Sequence, residues 1–480
     1  MGRTAPASKP SDTRGSLIFV HCLRGNFVRI FHHRPGLPWR AVVACLIVCL
    51  AGGAALAADS AAGRQQDLDF ARSQYVLKSR ALSAKQRQQA LDFLWESQGH
   101  LAKMSAAEFL LTMARIPAFA DNAHDVFNSG KDAWWPDTRL PFRLVWFPDG
   151  LLIARVAPER TELLGARITR IEGLTPEQLL TKLHAVCGGT EAYRRWNAMW
   201  VITNGQFMHA LGLAKSSDRL QFSARLRDGR SKDYQVDYVP VASVPANVHA
   251  PRLLSADLTE DEAARHWSAA VPADSEPLYL QQPEQLFRRQ RLADLDAFYL
   301  QLRSNMDEHG QLFKPFLDET LAELRSSPTR NLIFDLRFNT GGDISVSRDF
   351  LREVTQLIPG RIYVLISRYT FSAGIVSVAA LKHDAADRAI LVGEPVGDRL
   401  RFWSEGESAC LPDSHFCLRT TTGMWDLERG CKAEPNCYGD QFDATAGSLK
   451  PQISAPLSAS AWLAGRDLAM EAVKKELGGR

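Results

Sequence analysis

Three stretches decide how this chain folds: NLIFDLRFNTGGD at 331–343, RIYVLISRYTFSAG at 361–374 and RAILVGEPVGD at 388–398. Each opens on a short run rich in Ile, Leu and Val, too brief for a helix and bounded by turn residues, which predicts a buried strand. Residues 344–357 and 372–382 between them carry helical patterning. Strands alternating with single helices predict parallel pairing through right-handed crossovers. In such a sheet ligands gather outside the carboxyl ends of the strands. Two small turns fall there, Thr340-Gly341-Gly342 and the turn that leads into Ser372.

A serine where a strand stops and a helix starts is either a cap or a nucleophile. Serine is a leading N-cap residue, because its oxygen accepts from a free N–H of the first turn. As a nucleophile it needs a base for its proton and donors for the oxyanion. The Ala373 N–H and the positive end of the helix would supply one donor. Gly341 and Gly342 end the adjacent strand and let the backbone approach a substrate closely.

Working outward, Leu278–Leu280 and Ala297–Leu302 read as strands and Phe313–Leu324 as a helix, after a connector rich in Pro and Ala at 242–275. Asp228-Gly229 and Pro148–Gly150 mark two hairpins. Thr175-Pro176 opens a helix after a strand and a turn at Glu172-Gly173. Residues 60–118 read as helices, with capping boxes at Ser83–Gln86 and Ser105–Glu108. Leu91, Leu94 and Trp95, then Phe109, Leu110 and Met113, supply their apolar faces. A polar loop, ADNAHDVFNSGKDAWWPD, follows at 120–137. At the other end CLPDSHFCLRTTTGMW, 410–425, reads as a hairpin beside the site. Its neighbours Phe402, Trp403 and Trp425 fit either core or a substrate wall. Asp335 and Arg337 read as a structural ion pair, and His383 with Asp384 as a helix end.

The chain has 480 residues, 45% of them hydrophobic, enough for two or three globular domains. Residues 1–57 differ from the rest, with seven Lys or Arg and one acid before the uncharged AVVACLIVCLAGGAALA at 41–57. That segment reads as a secretory signal peptide cleaved after Ala57; the alternative is an uncleaved membrane anchor. Without it the chain carries 50 Lys and Arg against 53 Asp and Glu, a net charge of −3. No basic stripe argues for nucleic acid. Five cysteines remain, and four fall within 410–437. In an oxidising compartment Cys410 pairs with Cys417 and Cys431 with Cys437, leaving Cys187 free. Zinc is the alternative, but the intervening six and five residues exceed the spacing it prefers. No metal or other cofactor is expected, and the destination is the periplasm or the medium.

The three blocks that opened this reading resemble the core of the C-terminal-processing, or tail-specific, serine peptidases. The family pattern runs apolar-Asp-Leu-Arg-x-Asn-x-Gly-Gly, then Ser-Ala at a helix start, then Val-Gly-Glu. The resemblance implies an α/β multidomain chain with a crotonase/ClpP-like core of strand-strand-helix units. LLGARITRIEGLTPEQLL, 163–180, looks like the end of a PDZ-like domain. The implied division is a signal peptide at 1–57, a helical region at 58–138, a PDZ-like domain at 139–250 and the peptidase core at 251–470. Carried over, Ser372 is the nucleophile, and Gly341, Gly342 and Ala373 line the oxyanion hole.

The tail-specific branch takes its base from a lysine about 25 residues after the serine, where this chain has Gly397. Lys382 lies along the serine's own helix, and Arg399 does not deprotonate. The tricorn-type branch takes a histidine from a short Asp-x-His context upstream, and ADNAHDVF, with Asp121 before His124, is similar to it. His124 is therefore the expected base. A third group would orient it; Glu405 is preferred over Glu394 and Glu428. The expected activity is hydrolysis of peptides or unstructured protein tails. The competing reading is a binder that keeps the fold without turnover. An acyl-CoA enzyme fits poorly with export and the absence of a basic CoA site. Oligomeric state has no signal.

Overall fold

In the computed structural model, which describes residues 60–478 except 272, 432–434, 439–441 and 443, the chain opens with helices Ala61–Ala71, Ala84–Gln98 and Ala106–Ala118. The expected signal peptide lies outside the described residues. Both predicted capping boxes form, each Ser hydroxyl taking the N–H three residues on while Gln86 or Glu108 reaches back to the serine N–H. Phe109, Leu110 and Met113 are buried as their spacing requires, and so is Leu94. Trp95 is not; it stands 76% exposed on the outer side of its helix.

After β1 (Phe127–Ser129) and β2 (Thr138–Arg139), five strands form an antiparallel sheet in chain order. They are β3 (Phe142–Phe147), β4 (Gly150–Val156), β5 (Arg167–Ile171), β6 (Arg219–Arg225) and β7 (Ser231–Asp237). β8 (Val239–Pro240) pairs with β2, and β9 (Ser268–Ala269) with β4. The hairpins at Pro148–Gly150 and Asp228-Gly229 join β3 to β4 and β6 to β7. Helix Pro176–Leu183 follows β5 and opens on a capping box from Thr175.

The second large sheet contains the three opening blocks. β10 (Phe287–Leu292) is antiparallel to β11 (Ala297–Leu302); β12 (Asn331–Asp335), β13 (Ile362–Ile366) and β14 (Ala389–Gly393) then continue it in parallel. β15 (Arg401–Cys410) and β16 (Phe416–Asp426) leave it as a long hairpin on which β1 pairs. The short β17 (Ile453–Ser454) returns beside β14. Helices Phe313–Ser326, Ile344–Leu357 and Ala373–Ala385 make the crossovers. β12 and β13 are buried along their whole length, the continuous apolar burial that parallel strands show.

Two expectations fail here. Leu278–Leu280 is a turn, not a strand. The Tyr279 carbonyl instead accepts from Gln301 Nε2 and Arg303 Nη2, which ties the turn to the end of β11. The edge strand is β10, FRRQRL, whose arginines disguise it. Arg289 and Arg291 pair with Glu323 on helix Phe313–Ser326.

Candidate active site

Ser372 stands at the start of helix Ala373–Ala385 but caps nothing. Its backbone is at φ 53°, ψ −127°, left-handed territory for a residue with a Cβ. Such a conformation costs roughly 1–3 kcal/mol and persists only where the surroundings enforce it. The surroundings are rigid. The helix behind Ser372 is buried on nearly every side, from Ala373 to Leu381. The Phe371 N–H donates to the Asn339 carbonyl (2.9 Å), and the Thr370 hydroxyl to the Leu336 carbonyl (2.8 Å). The capping alternative is therefore gone, and a strained serine aims its hydroxyl elsewhere.

It opens into a cavity of about 320 Å³. Gly342 and Ala373 line one side; Phe402, Glu405, Trp425 and Tyr438 line another. Phe402 and Trp425 are thus both core and cavity wall, being nearly inaccessible elsewhere. The Gly-Gly turn is held against the serine. A Cβ on Gly341 would lie 2.6 Å from Ser372 Cβ and 3.0 Å from the Ala373 nitrogen. One on Gly342 would lie 2.7 Å from the Asn305 carbonyl carbon. Both glycines have positive φ, 105° and 135°. The three expected oxyanion donors are not equivalent. The Gly341 N–H is spent on Asn339 Oδ1 (3.0 Å). Among the described residues no hydrogen bond occupies the N–H of Gly342 or Ala373.

The polar loop that carries His124 reaches this place. The His124 ring stacks on Phe371, the residue before Ser372, at 4.5 Å between centroids, and on Phe402 at 5.0 Å. Its Nδ1 lies 3.5 Å from Asp398 Oδ2, both side chains being buried. Neither ring nitrogen, nor Asp398 Oδ2, has a hydrogen-bond partner among the described residues. The carboxylate facing His124 is thus Asp398, which sequence reasoning missed, and not Glu405. Glu405 accepts from Ser404 Oγ (3.0 Å) and from the Trp425 indole (3.2 Å) on the cavity wall. Asp398 closes the third opening block, after Pro395-Val396-Gly397, and no spacing rule marks it.

The loop is fixed at several points. Asn122 pairs with the Trp403 backbone through both its amide groups (2.8 and 3.2 Å). Asp121 binds Arg399 (2.6 Å) and His184 (2.8 Å). Asp125 is fully buried and accepts from Tyr75, Ser79, Asn122 and Thr421. Burial pushes the Asp125 carboxyl above its usual range, against the pull of those four hydrogen bonds.

The remaining singled-out residues are structural. Glu394 accepts from Arg368 (2.7 Å) and holds the turn after β13. Asp335 and Arg337 form the expected buried pair, extended by Asp467 and by the Tyr299 hydroxyl. Burial alone would raise Asp335, but the Arg337 charge and hydrogen bonds hold it below the usual carboxylate range. Asp384 pairs with Arg348, and His383 Nδ1 lies 2.9 Å from the Thr445 carbonyl. Cys410 is bonded to Cys417 and Cys431 to Cys437; Cys187 is buried and free. Among the described residues no group of three or more His, Cys, Asp or Glu could hold a metal ion.

The mixed α/β fold of several sheets has solved counterparts. A structure of mature CPAF complexed with lactacystin superposes with a TM-score of 0.57 at 16% identity, over 87% of this chain and 98% of that one. A structure of mature CPAF alone gives 0.55 at 16%, over 87% and 96%. At that identity the likeness shows a shared fold. The photosystem II D1 C-terminal processing protease is more distant, with a TM-score of 0.38 at 12% identity over 87% and 97% of the two chains. The fold shared with CPAF agrees with the α/β multidomain fold that the sequence motifs imply. No family model and no curated protein matches the chain.

Proposed function

We propose that this chain is an exported serine-type endopeptidase that hydrolyses peptides or unstructured protein tails through an acyl-enzyme on Ser372. His124 takes the hydroxyl proton as Oγ attacks the scissile carbonyl carbon. Asp398 faces the far side of the imidazole and stabilises the imidazolium. The N–H groups of Gly342 and Ala373 receive the oxyanion, each donor of this kind being worth about 2.7–4 kcal/mol of barrier. Gly341 acts by its lack of a Cβ. The proton then passes to the leaving amine, and water cleaves the acyl ester with His124 again as base.

The observation that carries this reading is the strained backbone of a non-capping Ser372 whose preceding residue stacks on His124. The aromatic wall of the cavity, Phe402, Trp425 and Tyr438, suits an apolar side chain next to the scissile bond. The division into a helical region at 58–138, a PDZ-like domain at 139–250 built on β3 to β7 and a crotonase-like core at 251–470 belongs to the same proposal. A PDZ-like sheet would present tails by strand addition. Two disulfides support export.

A fluorophosphonate probe tests the assignment. It labels the full chain at Ser372, and His124→Ala abolishes the labelling. Peptide binding with neither labelling nor turnover would replace the enzyme with the non-catalytic binder.

A further inference from the structure

Nothing in the charge-transfer scheme above uses the most elaborate polar cluster in the molecule. Asp125 is fully buried one residue from the base, and its two oxygens are both doubly occupied. Oδ1 accepts from the Tyr75 hydroxyl (2.7 Å) and the Ser79 hydroxyl (2.9 Å). Oδ2 accepts from Asn122 Nδ2 (2.6 Å) and the Thr421 hydroxyl (2.7 Å). All four donors are uncharged. A buried carboxylate is costly unless it is paired or fully hydrogen-bonded, and this one takes the second solution. The donors come from separated parts of the chain: the end of the first helical segment, the base loop itself and β16. The same Asn122 that serves Asp125 also grips the Trp403 backbone of β15. Between these two anchors stands His124, whose ring nitrogens make no hydrogen bond among the described residues, Nδ1 facing Asp398 Oδ2 only at 3.5 Å.

We propose that Asp125 is a positioning residue for the base: its carboxylate gathers the N-terminal helical region, β16 and the loop at 121–125 around one point, and so fixes the His124 ring against Phe371. The inference rests on the peptidase reading and assigns the N-terminal helical region a part in turnover. Asp125 touches no reacting atom. An Asn at this position keeps the volume but turns one acceptor into a donor facing donors. The loop must then shift, and a displacement near 1 Å at a catalytic group can cost about 100-fold in rate.

The experiment compares wild type, Asp125→Asn, Tyr75→Phe and Thr421→Val by the concentration dependence of fluorophosphonate labelling at Ser372. This separates the limiting inactivation rate from the half-saturating probe concentration. Asp125→Asn lowers the limiting rate about 100-fold and leaves the half-saturating concentration unchanged, because no cavity-lining residue has changed. Tyr75→Phe and Thr421→Val each lower the rate several-fold in chains that still fold. Where Asp125→Asn does not fold, these two variants decide. Limiting rates equal to wild type in every folded variant, with His124→Ala unlabelled, overturn the positioning role alone. Failure of the wild-type chain to label overturns the peptidase reading and this inference with it.

Discussion

His124 Nδ1 and Asp398 Oδ2 face each other at 3.5 Å, both side chains buried. The separation is longer than a good hydrogen bond, as apo catalytic contacts often are before substrate tightens them. In the proposed mechanism Asp398, rather than Glu405, orients the imidazole. Asp398→Asn therefore lowers kcat by roughly 10³-fold or more, as loss of the orienting carboxylate does in other serine triads. Glu405→Gln removes a wall hydrogen bond and changes the rate by less than about tenfold. Parallel labelling kinetics check both; equal losses would return the role to Glu405.

Ser372 pays for its geometry in stability. Ser372→Gly relieves the strain at φ 53° and is expected to melt higher, gaining about 1 kcal/mol while losing all hydrolysis. Ser372→Ala keeps the strain, loses the hydroxyl and unfolds within about 0.5 kcal/mol of wild type. Denaturant unfolding measures both. A destabilised Ser372→Gly would show that the conformation is not strained.

The Gly-Gly turn gives a steric contrast. Gly341→Ala forces a methyl onto Ser372 and the Ala373 nitrogen, so labelling disappears and stability falls by about 1–3 kcal/mol. Gly229→Ala, also at positive φ but with nothing within 4 Å of its Cβ, costs about 1 kcal/mol and leaves labelling intact. Normal labelling of Gly341→Ala would remove that turn from the site.

The buried Asp335–Arg337 pair sets an acid limit. The Asp335 carboxyl is held below its usual range in the folded chain. It thus contributes stability that is present above the unfolded value near pH 4 and is lost as pH falls below it, through the lower folded value. Melting temperature followed from pH 7 to pH 2 should fall in that window. Asp335→Asn should flatten part of the fall and cost about 3–5 kcal/mol at neutral pH, because Arg337 loses a buried partner.

The parallel core was legible because each of β12, β13 and β14 writes its burial as an unbroken apolar run. The capping boxes and hairpin turns were legible because their hydrogen bonds are local. β10 was not: its inward and outward positions are blurred by arginines whose stems cover apolar surface while their heads pair with Glu319 and Glu323. Ser372, its glycine neighbours and His124 could be found from motifs. Asp398 could not, since it meets His124 only after the 273 intervening residues have folded between them. The unequal worth of Gly341 and Gly342 was equally hidden, because it depends on where the Asn339 side chain turns.

Helix Ala373–Ala385 is walled in by its neighbours from Ala373 to Leu381, its charged residues falling only in the last turn. Random mutagenesis of the gene would consequently return few living variants there. Tolerated exchanges should accumulate instead at exposed positions of the hairpin 401–426, such as Glu407 and Ser408, and not at Phe402 or Thr421, which pack around His124 and Asp125.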